Sequence, residues 1–249
     1  MLTTLILAAA ALTAGVLNAV AGGGAFVTFP ALLLAGVPPV AANASSTVAL
    51  FPGQATSAWA YRNDIGGIAE FRVSVFIALS LVGGLLGALL LLLTPNAVFA
   101  GLVPWLLLFA TAVFAIGNFV PGATQRLSLS HRGVLAVQFV ISVYGGYFGG
   151  GIGILMLAAL TLFGMRDINA MNGLKVLLAA LMNGAAVIAF IVSGIVHWPE
   201  TVVMAVSSIA GGYVGALGAK RIDQHAIKGF VVVLGVALTA HFFVRGAGS

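Results

Sequence analysis

Gly22-Gly23-Gly24 and Gly149-Gly150-Gly151 are two glycine runs set in apolar surroundings. Each interrupts an apolar stretch of about 30 residues, where an unbroken membrane helix needs only about 20. Three successive glycines break a helix and leave backbone amides free to meet a ligand. Half-helices starting at Ala25 and Ile152 would aim those amides, with the positive end of the helix dipole, at the bilayer centre. The chemistry this suits is reversible binding of a small anion. The bland alternative is close helix packing; it suits Gly83, Gly84, Gly87 and their repeats better than it suits the two triple runs.

Polar side chains follow each break. Asn43, Thr47, Gln54, Ser57 and Tyr61 recur at spacings of 4, 7, 3 and 4, one helical face that would line a cavity. In the second half Asn172, Lys175 and Asn183 share a face, and Lys175 takes the place that Ser46 has in the first. Lys175 either faces a substrate inside the hydrocarbon or snorkels to the surface. Asn18, Tyr144 and Tyr147 stand close to the breaks and have groups that donate hydrogen bonds, although Tyr147 suits aromatic packing better. The candidate substrate-binding set is therefore Gly22, Gly23, Gly24, Asn43, Ser46, Thr47, Gln54, Gly149, Gly150, Gly151, Asn172, Lys175 and Asn183.

Other chemistries lack their residues. All five carboxylates, Asp64, Glu70, Asp167, Glu200 and Asp223, fall in or beside loops, which argues against cation transport, a buried aspartyl protease and a carboxylate proton relay. The four histidines are scattered, no histidine pairs with an apolar Gly-x-Ser turn, and there is no cysteine, so neither a metal centre nor an enzyme is expected. The net charge of +5 comes from loop cations and is no nucleic-acid signal.

The elements that must position these residues are membrane helices. Hydrophobic residues make up 61% of the 249, charged ones 6%, far outside the range of soluble domains. Apolar segments cover 3–21, 25–36, 41–61, 71–93, 97–119, 134–148, 152–164, 170–192, 200–219 and 226–244. The first lacks a basic leader and is expected to be retained. Segments 134–148 and 152–164 are too short to cross, so each glycine run reads as the turn of a discontinuous pair that dips in and returns.

The segments also repeat. Gly83-Gly84-Leu85-Leu86-Gly87-Ala88-Leu89 matches Gly211-Gly212-Tyr213-Val214-Gly215-Ala216-Leu217 at an offset of 128, the glycine runs align at 127, and Asn43 aligns with Asn172 at 129. An internal duplication follows, split into 1–122 and 123–249 within one membrane domain. If each broken pair returns to its own side, Arg62, Arg72, Arg126, Arg132, Arg166, Lys220, Arg221 and Lys228 collect on one face against Arg245 alone. Single crossings would give five against four, so the positive-inside rule favours returning pairs. The expected fold is an all-α polytopic membrane protein of two inverted repeats, each with a glycine-broken pair plus three transmembrane helices. Both termini would face the periplasm or exterior.

The chain resembles the TauE/SafE family of sulfite and organosulfur-anion transporters. The residues that carry the resemblance are Gly22-Gly23-Gly24 with Pro30, Ala42-Asn43-Ala44-Ser45-Ser46-Thr47, Gly83 to Ala88, and the second-half runs Gly149 to Gly151, Asn172-Gly173-Leu174-Lys175 and Gly211 to Ala216. Met171-Asn172-Gly173-Leu174-Lys175 departs from the family's threonine- and serine-rich pattern. The resemblance implies a bacterial inner-membrane transporter of small sulfur-containing anions, with the bilayer and the anion as its partners, no nucleic acid and no prosthetic group. Self-association into a homo-oligomer is left open. A negative cell interior favours export, and cation-coupled uptake or a non-transporting scaffold are the alternatives.

Overall fold

A computed structural model describes residues 2–20, 23–60, 72–119, 130–165, 167–218 and 224–246. Among these are ten helices and no strand: α1 (Leu2–Val20), α2 (Ala25–Leu34), α3 (Pro39–Ala60), α4 (Val73–Leu93), α5 (Asn96–Phe119), α6 (His131–Tyr147), α7 (Ile152–Leu162), α8 (Ile168–Val192), α9 (Trp198–Gly218) and α10 (Gln224–Gly246). Every expected apolar segment is one helix. Gly22, Tyr61 and the loop cations Arg62, Arg126, Arg166, Lys220 and Arg221 lie outside the described residues, as do the side chains of Ser57 and Lys228.

Length separates the helices into two kinds. Helix α4, the Asn96–Val113 part of α5 and the Ala170–Val192 part of α8 are long and apolar enough to cross a membrane. Helices α2 and α7 have 10 and 11 residues. At 1.5 Å per residue they reach about 15 Å, half the thickness of a hydrocarbon core. Both end on the same device: Gly36 and Gly164 take positive φ (85° and 86°). Beyond each glycine an amide reaches back five residues, Val37 to the Leu32 carbonyl and Met165 to that of Leu160, at 3.0 and 3.1 Å. A left-handed residue closes a helix in this way by satisfying its last carbonyls.

Packing pairs the halves crosswise. Helix α1 lies on α9 and α4 on α6, while α3 and α9, and α4 and α8, form a second matched pair of contacts. The remaining large contacts join α3 with α8 and α5 with α10. Small residues make the closest approaches possible. Gly83 faces Ser142, and Gly87 faces the backbone from Val143 to Tyr147; Gly211 faces the backbone of Leu12, and Gly15 that of Ser208 and Gly212. With no hydrophobic force between helices in lipid, such backbone proximity is what holds them together.

These contacts also give directions. Gln138 reaches Ser80, and further along the same two helices Gly87 lies against Tyr147, so α4 and α6 run parallel. The rings of Phe76 at the start of α4 and Phe163 just after α7 meet at 5.8 Å. Helix α6 therefore begins at the same end of the bundle at which α7 finishes, as a returning pair requires. Ser45 accepts from the His197 amide (3.0 Å) and Gln54 pairs with Asn183, so α3 and α8 are antiparallel. Trp105 against Phe243 and Gly235 against Thr111 make α5 and α10 antiparallel too. At the opposite end, Pro38, Asn96 and Gly194–Pro199 surround an open cavity of about 470 Å³.

Candidate substrate site at the glycine breaks

The first break is held by side chains of its own half. Gly23 has φ +92°. The Gly24 amide donates to Asn18 Oδ1 at 2.8 Å, and the amides of Phe26 and Val27 turn back to the carbonyls of Gly23 and Gly24. The Thr28 hydroxyl reaches the Gly24 carbonyl at 3.3 Å and hydrogen-bonds with the Ser46 hydroxyl at 2.6 Å. Asn18, expected near the break as a donor to a ligand, is thus an acceptor for the chain itself.

The second break is built differently. Positive φ falls on Gly149 (74°) and Gly151 (71°). Between them, a Cβ on Gly150 would meet the ring of Phe148 at 2.6 Å. The Tyr144 hydroxyl donates to the Gly150 carbonyl at 2.8 Å. The Cβ position of Gly149 lies 3.9 Å from Asn183 Oδ1, and that of Gly151 lies 3.3 Å from Ala110 of α5.

Two long helices bring polar groups to this break. Asn43 of α3 donates from Nδ2 to the Tyr147 carbonyl at 3.0 Å, across 104 residues of chain. Gln54, further along α3, accepts from Asn183 Nδ2 at 2.6 Å. On α8, Lys175 Nζ donates to Asn172 Oδ1 at 2.9 Å, and the Lys175 stem lies 3.8 Å from the Cβ position of Gly153, in the first turn of α7. No carboxylate lies within ion-pair distance of Lys175 among the described residues. Lys175 and Asn183 are eight residues apart, about 12 Å along the helix, so they bracket the break from one face of α8.

Of the expected cavity-lining face of α3, Asn43 is buried and Thr47 and Gln54 are half-buried, while the side chain of Ser57 and the whole of Tyr61 lie outside the described residues. Asn43, Ser46 and Asn183 are 2%, 2% and 3% exposed, each bonded to a different partner: the Tyr147 carbonyl, the Thr28 hydroxyl and Gln54. Thr47 does not join them, since its hydroxyl bonds the Asn43 carbonyl of its own helix at 3.0 Å. Gly23, Gly24 and Ser46 belong to the first break, while Asn43, Gln54, Gly149, Gly150, Gly151 and Asn183 gather at the second with the Asn172–Lys175 pair beside it.

Two buried polar groups escaped the sequence reading. Thr28 is the single polar side chain of α2 and links the break to α3. Gln138, fully buried in α6, donates to Ser80 and Ser142 at 3.0 and 3.3 Å and joins α6 to α4. The signal for Thr28 was a polar residue alone in an apolar helix, and for Gln138 a Gln and a Ser one turn apart in an apolar stretch.

Comparison with known proteins adds a family. The chain matches the family described as "Sulfite exporter TauE/SafE" over residues 7–242. It is 30% identical over 233 residues to a probable membrane transporter protein of a Sinorhizobium species, covering 92% of this chain and 88% of that protein. A probable membrane transporter protein of Haemophilus influenzae is 31% identical over 233 residues, covering 91% and 89%. The Escherichia coli K12 protein of the same description is 29% identical over 243 residues, covering 96% and 88%. No solved structure matches.

Proposed function

The chain belongs to the sulfite exporter TauE/SafE family, and from that premise we propose that this membrane transporter carries sulfite or a related small sulfur oxyanion out of the cell. The observation that carries the reading is Lys175. A cation on a membrane-crossing helix, set against the first turn of a half-helix and with no carboxylate partner among the described residues, is an unbalanced positive charge in low dielectric. A bound anion restores the balance. The amides of α7 add the positive end of a helix dipole on the same side.

The direction follows from the membrane potential. An interior negative by about 100 mV favours exit of a single negative charge by about 2.3 kcal/mol, without a coupling ion. Alternating access would come from rocking one half against the other about the breaks, the usual behaviour of repeats with discontinuous helices. The antiparallel courses of α3 with α8 and of α5 with α10 support an inverted duplication divided near residue 122. In that arrangement the cavity between Pro38, Asn96 and His197 opens to the exterior, and the α7–α8 turn lies in the cytoplasm of a bacterial inner-membrane protein. A single cysteine in place of Gly194 should react with an impermeant reagent on intact cells, and one in place of Ser130 should not; the chain has no native cysteine to interfere.

Purified protein in proteoliposomes tests the transport claim. Labelled sulfite, thiosulfate and sulfoacetate are followed with the potential set to either sign. Movement of at least one anion toward the positive side, without added sodium or a proton gradient, is the expected result. Flux that requires a cation gradient would replace export by coupled uptake, and no flux of any of the three would remove the sulfur oxyanion from the proposal.

A further inference from the structure

Helices α4 and α6 start side by side, and each starts on a cation. Arg72 is the N-cap of α4 and Arg132 lies in the first turn of α6. Both are exposed, and neither has an ion-pair partner among the described residues. The 58-residue register of the Gln138–Ser80 bond sets Arg72 level with Ser130, so the two arginines stand within one helical turn of the same height. The positive-inside rule accounts for cations at this end, but not for their place at helix starts, where the helix dipole disfavours them.

Beyond the arginines the two helices leave a groove. Leu86 of α4 and Phe139, Val140, Val143, Tyr144 and Tyr147 of α6 line an open apolar cavity of about 430 Å³. The arginines head the stripes that lead into it. On α6, Arg132, Ala136, Phe139 and Val143 recur at spacings of 4, 3 and 4; on α4, Arg72, Val75, Val82 and Leu86 recur at 3, 7 and 4, one face in each case. Val75, Val82, Leu86, Ala136 and Val140 are exposed, so the path from cation to groove faces the bilayer. At 1.5 Å per residue the α6 side of the groove lies about 10 to 22 Å beyond Arg132, in the deeper half of a leaflet that measures about 20 Å from headgroup to midplane.

An apolar groove at that depth, headed by two cations, suits an acyl chain carried on an anionic headgroup. We propose that the α4–α6 face binds one anionic phospholipid, with its phosphate between Arg72 and Arg132 and one acyl chain in the groove. Any bilayer lipid would cover the apolar face, but the paired cations select the charge of the headgroup. The chain ends against Tyr144 and Tyr147. The Tyr144 hydroxyl holds the Gly150 carbonyl and the Tyr147 carbonyl receives Asn43, so the lipid braces the second break from the bilayer side.

Lipid binding is the readout, whatever solute the protein carries. Full-length protein purified in detergent and stripped of lipid is titrated with dioleoyl phosphatidylglycerol or dioleoyl phosphatidylcholine, and bound lipids are counted by native mass spectrometry. One phosphatidylglycerol should bind about 30-fold more tightly than phosphatidylcholine, the worth of two basic contacts. Arg72→Gln combined with Arg132→Gln should remove that preference and keep the affinity for phosphatidylcholine. Val140→Trp, which fills the groove from its exposed side, should weaken both lipids and keep the preference. All three side chains are exposed, so the variants should fold. Equal wild-type affinities, a preference that survives the double arginine variant, or binding indifferent to Val140→Trp would overturn the proposal. A dimer that excludes phosphatidylglycerol would assign the face to a second copy of the chain and overturn it as well.

Discussion

Each of the two glycine breaks precedes a short helix, yet one is closed on itself and the other is not. At the first, Asn18 Oδ1 occupies the Gly24 amide, and the Cβ position of Gly24 is already within 2.7 Å of the Ala14 carbonyl and 2.8 Å of Asn18. At the second, Tyr144 takes a carbonyl rather than an amide, Asn183 Oδ1 stands unpaired beside Gly149, and Lys175 lies against the following turn. The same glycine run opens two short helices, and the side chains that meet each run decide its use. The first run is a strut between α1, α2 and α3. The second keeps polar capacity in reserve, where a ligand would spend it.

The largest expected effect separates the supports of the two breaks. A Cβ on Gly84 would collide with the Met182 carbonyl oxygen and come within 2.6 Å of its Cα, the residue just before Asn183. On the matching Gly212 it would meet nothing closer than the Gly15 carbonyl at 4.0 Å. Overpacking typically costs about 1 to 3 kcal/mol, and a backbone that must move puts Gly84→Ala at or above the top of that range. Gly84→Ala should lose most of its folded yield in detergent and Gly212→Ala almost none, as read by thermal unfolding. Similar yields would mean that both halves yield equally.

Next comes the charge. Lys175→Ala should weaken sulfite affinity by about 10-fold to 150-fold, since contacts to charged groups are worth about 1.5 to 3 kcal/mol. Its unfolding temperature should change little, because the stem lies against Gly153 in ordinary contact only. Normal affinity at normal expression would reduce Lys175 to a snorkelling residue and leave the second break without its cation.

Alanine at one glycine of each run sharpens the contrast. Gly149→Ala forces a side chain into left-handed backbone, a strain of about 1 to 2 kcal/mol, and narrows the space in front of Asn183 Oδ1. It should remove transport from protein that still folds. Gly24→Ala meets packed backbone instead, so it should lower stability while transport per folded molecule persists. Proteoliposome flux normalised to folded protein distinguishes them, and the reverse pattern would move the site to the first break.

The smallest effects belong to the hydrogen bonds that hold the turns. Tyr144→Phe and Asn18→Leu each remove one bond to a glycine of a break, worth about 1 kcal/mol of stability. Only Tyr144→Phe should also slow turnover, because the Gly150 turn it releases borders the candidate site. Equal effects on turnover would say that both breaks move in the cycle.

The sequence by itself determined the ten helices and the two interruptions, because each is a local property: apolar length and glycine's freedom. It also placed Asn172 and Lys175 on one helical face, and they are hydrogen-bonded one turn apart. What it could not contain is which groups satisfy one another across the chain. Asn43 meets Tyr147 across 104 residues, and Gln54 meets Asn183 across 129. Those pairings give Asn43 and Gln54, which spacing alone put on one face of α3, partners at the second break. Positive φ at Gly149 and Gly151 with a ring over Gly150 was likewise decided by what packs on the turn, since three adjacent glycines are equivalent until neighbours surround them. Burial is the physical reason. In lipid or a packed core each polar atom must find a partner or remain costly, and only the assembled bundle shows that Asn183 Oδ1 is left without one.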